Sequence, residues 1–346
     1  MKPPRVSRPR RILVTQLRRL GDVVLTTALL PDLRRAFPEA TVDFLVGDRA
    51  APLLEHHPLI SERLIYDRAR PARSWRVVRA RRFDWVIDPQ SSPRTAPLAL
   101  LSGAPVRAGF GVRGWGWVYT HRLARAGRPT EYVARERQRL LEMLGVPIAP
   151  ARTSLSVTPE ERARGRSMLE SYGVSLSAPV AALVLSSGEA KREWPPEHFG
   201  ALVEALAPDG VRALAFEMPG DAARIARAIA ASRRLVSIAT PALRDFMAAL
   251  TACDVLISAD TGPAHIATAL GVRRVTIFGP NLPAAWAPAN DPSVVTVRAE
   301  SAASLGRLPS DDPRAVTLMA EVEPRTVADA VRRLLATDGA HVRRSR

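Results

Sequence analysis

The 346-residue chain has one cysteine, Cys253. That excludes an internal disulfide and any zinc site built on several thiolates. Cys253 precedes Asp254 and an apolar run, so it reads as a core residue. No apolar stretch approaches the roughly 18 residues that a membrane-spanning helix needs. The longest covers 178–185 and is bounded by Ser177 and Ser186. The opening MKPPRVSRPR is basic, but Gln16, Arg18 and Arg19 interrupt the apolar segment behind it. A cleaved signal peptide is therefore not expected, and a cytoplasmic location is. Aromatic residues make up only 5% of the chain and do not interleave with basic runs, which argues against nucleic acid as a partner. The G-x-G-x-x-G fingerprint, the P-loop, the nucleophile elbow and the zincin motif are all missing. His56-His57 stands beside Pro58, on what reads as an exposed turn without metal-type partners, and no metal site is expected.

Charge is abundant and uneven. Residues 1–150 carry 27 Lys/Arg against 13 Asp/Glu, whereas residues 151–346 carry 23 against 21. The first half thus holds +14 of the formal +16. Such a field favours an anionic partner, although Arg-rich surfaces also arise simply as solvated faces. Arg18, Arg19 and Arg94 are the candidate contacts to such a partner, because they follow predicted strands.

The length suits two domains. Residues 11–17 read as a buried strand, and 22–37 as a helix that Pro31 is expected to kink. Strands follow at 41–46 and 85–87, and a helix at 131–144 stops before Gly145 and Pro147. After a polar connection, Thr158-Pro159-Glu160-Glu161 has the form of a capping box, opening a helix to about Tyr172. Then come strands at 180–185, 211–216, 255–258 and 274–278. Helices are expected at 196–206, 221–231, 243–252, 263–270 and 324–335. Residues 289–320 have no clear period, and the basic tail 341–346 is expected to be disordered. Strands alternating with helices predict parallel sheets, whose ligands bind beyond the carboxyl ends of the strands.

Four segments lie at such strand ends. In Leu17-Arg18-Arg19-Leu20-Gly21-Asp22, the glycine suits a turn, and the aspartate opens a helix as either a plain N-cap or a functional carboxylate. In Asp260-Thr261-Gly262-Pro263-Ala264-His265, the free N–H groups of a helix start can hold a phosphate, with Thr261 and His265 close by. Ser186-Ser187-Gly188 with Lys191 and Arg192 can cradle a diphosphate, or form a solvated loop over a packed Trp194. Phe278-Gly279-Pro280-Asn281 through Trp286-Ala287-Pro288 is suited to closing over a ligand, or is a plain Pro-rich turn.

In order, these segments resemble the heptosyltransferase family that builds the inner core of lipopolysaccharide. LRRLGDVVLTTALL matches that family's opening, and DTGPAHIATALG at 260–271 matches its signature D-T-G-P-x-H-x-A-x-A-L-G. F-G-P…W-x-P is present from Phe278 to Pro288, and Leu101-Ser102-Gly103-Ala104 through Arg107-Ala108-Gly109-Phe110 also matches. The resemblance spans residues 11–336. It implies a GT-B-like α/β fold of two Rossmann-like, doubly wound parallel-sheet domains with a cleft between them. The acceptor would lie in 1–157 and the nucleotide sugar in 158–346, without a metal or other cofactor.

By the same resemblance Asp22 is the base on the acceptor hydroxyl. Lys191 or Arg192, with Thr261, Gly262, Pro263 and His265, would hold the donor diphosphate. Asp221 would meet the donor ribose or sugar, and Asp260 would contact the transferred sugar or orient its loop. The family usually reads K-x-W-P; aligning on Trp194-Pro195 puts Arg192 at the cation position, so two residues share that role. Ala28 replaces a common Pro, and the Cys-containing segment before the last helix is absent. The expected activity is inverting transfer of heptose from ADP-heptose to an anionic, phosphorylated, lipid-linked core oligosaccharide, with peripheral contact at the inner face of the inner membrane. The alternatives are a related transferase using another nucleotide sugar, or a non-catalytic nucleotide-binding protein.

Overall fold

The computed structural model describes residues 8–124, 127, 129–189, 192–304 and 314–336. Lys191 and the basic tail lie outside these residues. The chain divides into two compact units, Met1–Ser156 and Val157–Arg346.

In the first unit the elements are β1 (Arg11–Gln16), α1 (Leu20–Thr26), α2 (Leu29–Ala36), β2 (Thr41–Gly47), β3 (Glu62–Tyr66), α3 (Pro71–Ala80), β4 (Trp85–Asp88), α4 (Ala96–Leu101), β5 (Val106–Gly111), β6 (His121–Ala124) and α5 (Val133–Met143). The strands form one sheet in the order β3-β2-β1-β4-β5-β6, with every pairing parallel. β1 is central, so Ile12, Leu13 and Val14 are buried on both faces, as a continuous apolar run requires. α1, α2 and α5 pack together. α3, α4 and the 3-10 turn Gly116–Val118 pack together over the opposite face, where the winding reverses after β3. There Val78, Leu98 and Val118 cover Leu13, Leu45 and Val86.

The helix expected over 22–37 is two helices. Pro31 has no N–H to give the Thr27 carbonyl, and its ring would crowd that group in a continuous helix. The chain breaks at Thr27-Ala28 instead, which leaves Pro31 in the first turn of α2, where no donor is needed. The Thr27 hydroxyl holds the break, donating to the Val24 carbonyl at 2.7 Å and accepting from Ser154 N at 3.0 Å. His57 is also not on an exposed turn. It is buried, 3.1 Å from the Ser154 hydroxyl, and burial pushes its imidazole pKa down.

The second unit comprises α6 (Pro159–Ser171), β7 (Val180–Val184), α7 (Pro196–Leu206), β8 (Arg212–Glu217), α8 (Ala222–Ala231), β9 (Val236–Ala239), α9 (Leu243–Leu250), β10 (Val255–Ala259), α10 (Gly262–Ala269), β11 (Arg273–Phe278), α11 (Pro283–Trp286), β12 (Val294–Arg298), α12 (Glu300–Ser304), α13 (Arg314–Ala320) and α14 (Pro324–Ala336). Its parallel sheet runs β12-β11-β10-β7-β8-β9, the same winding as in the first unit. The capping box at α6 forms as the sequence predicts. Glu161 N donates to Thr158 Oγ1 at 3.2 Å, and Thr158 N to Glu161 Oε2 at 2.8 Å. Cys253 is buried in the core, where loss of water pushes its thiol pKa up. The stretch 289–320, without a readable period, contributes edge strand β12 and helices α12 and α13. Among the described residues, no helix is long and apolar enough to cross a membrane.

Candidate functional site

In each sheet the winding reverses once, between β1 and β4 in the first unit and between β7 and β10 in the second. The connections leaving those neighbouring strands diverge to opposite faces and open a crevice at the carboxyl ends. The candidate residues gather at these two places, apart from Asp221, which follows β8.

At the end of β1, the chain turns into α1 through Arg19, whose φ of 57° lies in the left-handed region. The turn therefore does not rest on Gly21, which is already helical, and α1 begins at Leu20. Asp22 is not the N-cap. It sits in the first turn, and a residue far along the chain takes hold of its carboxylate. Arg137, projecting from α5, donates to Asp22 Oδ1 at 2.6 Å, to the Asp22 carbonyl, and to Thr26 Oγ1 at 2.7 Å. The Arg137 side chain is 6% exposed and that of Asp22 25%. Asp22 Oδ2 accepts no hydrogen bond among the described residues, so one oxygen is anchored and the other is open.

Across the crevice, the loop after β4 is organised by Asp88. Its buried carboxylate accepts from Thr15 Oγ1 at 2.9 Å, Ser91 N at 3.1 Å and Tyr119 OH at 2.6 Å. Burial pushes the Asp88 carboxyl pKa up, and these donors oppose the shift. Gly109 makes room for the tyrosine: a Cβ there would lie 2.6 Å from the Tyr119 ring. Gln90 joins the two strand ends, since its Oε1 accepts from Leu17 N at 2.8 Å. Arg18 and Arg19 are exposed and Arg94 half-buried, and none forms an ion pair among the described residues. Arg18 and Arg19 share the turn with Asp22, and Arg94 lies on the opposite loop.

In the second unit, β10 ends on Asp260-Thr261, and α10 begins at Gly262. Pro263 occupies the second helical position rather than the first, where its missing N–H costs nothing. Thr261 is the N-cap, yet its hydroxyl makes no cap bond and is buried without a partner. Asp260 is held through one oxygen: Asn281 Nδ2 donates to Oδ2 at 2.8 Å, while Oδ1 has no hydrogen-bond partner and stands 3.9 Å from His265 Nε2. Burial raises the Asp260 carboxyl pKa, against the pull of Asn281, Arg192 and Arg274. Arg192 reaches across from the loop after β7, donating from Nη1 to the Asp260 carbonyl at 3.0 Å and pairing with Glu189 at 3.0 Å. Its buried Nε has no partner. Trp194 packs beneath this loop and donates to the Val322 carbonyl at 2.9 Å.

Asp221 precedes α8 at the end of β8 and is 1% exposed. Neither of its oxygens accepts a hydrogen bond, and Arg224 Nη1 is 3.5 Å from Oδ1. Burial pushes this carboxyl pKa up, partly offset by the nearby Ser186 hydroxyl and Arg224. Buried polar atoms without partners are rare and costly, because desolvation has been incurred without a bond in return. Here four residues after β7, β8 and β10 carry them, which is the pattern of a site shaped for a polar ligand. Among the described residues, no three His, Cys, Asp or Glu gather as metal ligands.

Arg137 and Asn281 were not singled out from the sequence. A signal existed for the first: Arg137 falls in the apolar stripe of α5 with Val133, Leu140 and Leu141, a charge on a buried face. Asn281 stood in the recognised loop after β11 but had no assigned role.

Comparison with known proteins agrees with this architecture. The pattern of glycosyltransferase family 9 (heptosyltransferase) matches residues 72–308. The lipopolysaccharide core heptosyltransferase OpsX of Haemophilus influenzae is 22% identical, covering 94% of this chain and 97% of that protein. Among solved structures, a glycosyl transferase family 9 protein from Veillonella parvula superposes with a TM-score of 0.84 at 23% identity, covering 95% of this chain and 98% of that one. The E. coli ADP-heptose LPS heptosyltransferase II gives 0.78 at 19% identity, covering 94% and 99%. The strand order, the two strand-end clusters and the match over 72–308 together identify the chain as a member of glycosyltransferase family 9, the heptosyltransferases.

Proposed function

We propose that this glycosyltransferase moves heptose from ADP-heptose to a phosphorylated, lipid-linked lipopolysaccharide core acceptor, with inversion and without a metal ion. The observation that carries the reading is the half-anchored Asp22: Arg137 binds Oδ1 and leaves Oδ2 open, in a strand-end turn that also carries the exposed Arg18 and Arg19. A general base needs a fixed carboxylate with one free lone-pair edge. Oδ2 takes the proton of the acceptor hydroxyl as its oxygen bonds to the anomeric carbon. The bond from that carbon to the diphosphate breaks, and its electron pair leaves with ADP.

The leaving diphosphate gains negative charge, which Arg192, the Gly262 and Ala264 N–H groups and His265 are suited to stabilise. Lys191 remains a second candidate cation. Asp221 and the Oδ1 of Asp260 lack donors, and sugar hydroxyls supply donors. The relatives' names support heptose as the transferred sugar and lipopolysaccharide core as the acceptor. A lipid-linked acceptor calls for work at the inner face of the inner membrane.

The test is turnover of ADP-heptose with a phosphorylated core acceptor. Asp22→Asn keeps the size of the side chain but cannot take the proton, so turnover falls by about a hundredfold or more, while donor binding by thermal shift is unchanged. Near-normal turnover in Asp22→Asn removes the assignment of the base. A larger thermal shift from another nucleotide sugar than from ADP-heptose removes the assignment of the donor, since a ligand at 100 times its Kd stabilises by about 2.7 kcal/mol. Activity is expected to survive exhaustive EDTA treatment.

A further inference from the structure

The layer of α3, α4 and the Gly116–Val118 turn carries an unusual surface. Six large apolar side chains are exposed among the described residues, and four of them sit here: Val77 on α3, Leu100 and Leu101 on α4, and Trp117 on the turn. Trp117 is 63% exposed, and its indole N–H is already spent on the Gly114 carbonyl at 3.1 Å, which leaves the ring as an apolar face. Isolated exposed apolar residues are ordinary, but their concentration on one layer marks a contact surface.

The charge on the same layer is of one sign. From residue 68 to residue 82 the chain has no Asp or Glu. Arg68, Arg70, Arg73, Arg76, Arg79 and Arg82 are all exposed, and none forms an ion pair among the described residues. On α5, by contrast, Arg135 and Arg139 are tied to Glu142 and Glu131. A groove of about 980 Å³ continues the face between α3 and edge strand β3, lined by Ile65, Tyr66 and Val77; its walls also carry Asp48, Glu62 and Asp67, against Arg63, Arg68, Arg73 and Arg81, so the one-signed charge belongs to α3 and its flanks rather than to the groove.

We propose that this face docks on an anionic lipid bilayer, with the arginines on headgroup phosphates and Trp117, Leu100, Leu101 and Val77 in the interfacial layer. Unpaired arginines around an exposed tryptophan and leucines match a surface that is negative outside and apolar within. A second copy of the chain is a poor partner, because it would bring the same positive field against itself. The inference deepens the reading of a lipid-linked acceptor, but it stands on this surface alone. It is therefore tested without nucleotide sugar or acceptor, so its failure and the failure of that reading are distinguishable.

The experiment is flotation of the full chain with vesicles of phosphatidylcholine alone and of phosphatidylcholine containing phosphatidylglycerol. Binding is expected only to the anionic vesicles and weakens with salt. Each arginine near the surface contributes about fivefold, so Arg73→Ala with Arg76→Ala should weaken binding by about 25-fold. Trp117→Ser should weaken it as well, while leaving the salt response unchanged. Three outcomes overturn the proposal. One is equal or no binding to the two vesicle types. Another is anionic binding that all three substitutions leave intact. The third is a concentration-dependent doubling of mass, or tight binding to double-stranded DNA, that the arginine substitutions abolish while vesicle binding persists. The salt titration and Trp117→Ser keep the test decisive if the double variant folds poorly.

Discussion

Replacing Arg137 with methionine removes the anchor of Asp22 and nearly preserves side-chain length. The bonds lost include those to Asp22 Oδ1 at 2.6 Å, to Thr26 Oγ1 at 2.7 Å, and to the Asp22 carbonyl. Breaking a buried ion pair from one side costs about 3–5 kcal/mol. Asp22 is 25% exposed, so water recovers part of this, and the expected loss of stability is near about 3 kcal/mol. The catalytic loss is separate. A carboxylate free to rotate spends less time aimed at the acceptor hydroxyl, and misplacement by about 1 Å costs up to about a hundredfold. We expect kcat to fall by about tenfold to a hundredfold, with the donor KM unchanged. Arg137→Lys keeps the charge but not the fork, and it should recover part of both losses. The assay is ADP release at saturating substrates, with denaturant unfolding in parallel. The decisive arm is the double variant with Asp22→Asn. If Arg137 acts through Asp22, the second substitution adds little to the first. Fully additive losses would falsify the positioning role.

Three further outcomes follow from the first unit. Arg19→Ala or Arg94→Ala should raise the acceptor KM while leaving nucleotide affinity alone, and the acceptor KM should rise with salt more than the donor KM, since exposed charges are screened beyond about 8 Å; unchanged acceptor kinetics in both variants rules out this acceptor placement. Gly109→Ala puts a methyl 2.6 Å from the Tyr119 ring, pushes the hydroxyl off buried Asp88, and should cost about 2–4 kcal/mol; an unfolding midpoint equal to wild type refutes it. The His57 pKa is lowered in the folded state, so below its ordinary range the unfolded chain binds a proton that the folded chain does not. Stability is therefore present above about pH 6.5 and is lost as pH falls, by at most about 1.4 kcal/mol per pH unit for one proton. His57→Gln should flatten that slope in unfolding titrations between pH 7.5 and pH 5.5, roughly the range where histidine titrates, and an unaltered slope rejects the assignment.

Legibility in the sequence followed burial. β1 and β10 were readable because central parallel strands are continuous apolar runs, and the capping box at Thr158 because its chemistry is local. Interior strand β5 escaped because Arg107, Gly109 and Gly111 interrupt its apolar run, and so did the edge strands β3, β6, β9 and β12. Each edge strand is short and half-exposed, so neither a continuous run nor a clean alternation marks it. The helix break at Thr27 depended on where the missing Pro31 bond would fall, not on the apolar pattern. At the site, residues on their own strand-end loops were visible as motifs. Their supports were not, because Arg137 reaches Asp22 from 115 positions away and Asn281 reaches Asp260 from a different loop. Pairings of that kind belong to the tertiary structure and leave only indirect traces, such as a charge on a buried helical face.

The repetition of one winding pattern in both units bears on how such an enzyme can diversify. In each half, the residues that hold the fold lie in the sheet and in the helices packed on it. The residues assigned to ligands lie in the few positions after β1 and β4, or after β7, β8 and β10. Mutational libraries confined to 186–193 and 260–265 would therefore explore new leaving groups without drawing on the core of the first unit. Libraries at 18–19 and 90–95 would explore new nucleophiles without disturbing the second. Under the proposed function, a chimera that exchanges residues 1–156, the first compact unit, between two members should inherit acceptor choice from one parent and donor choice from the other.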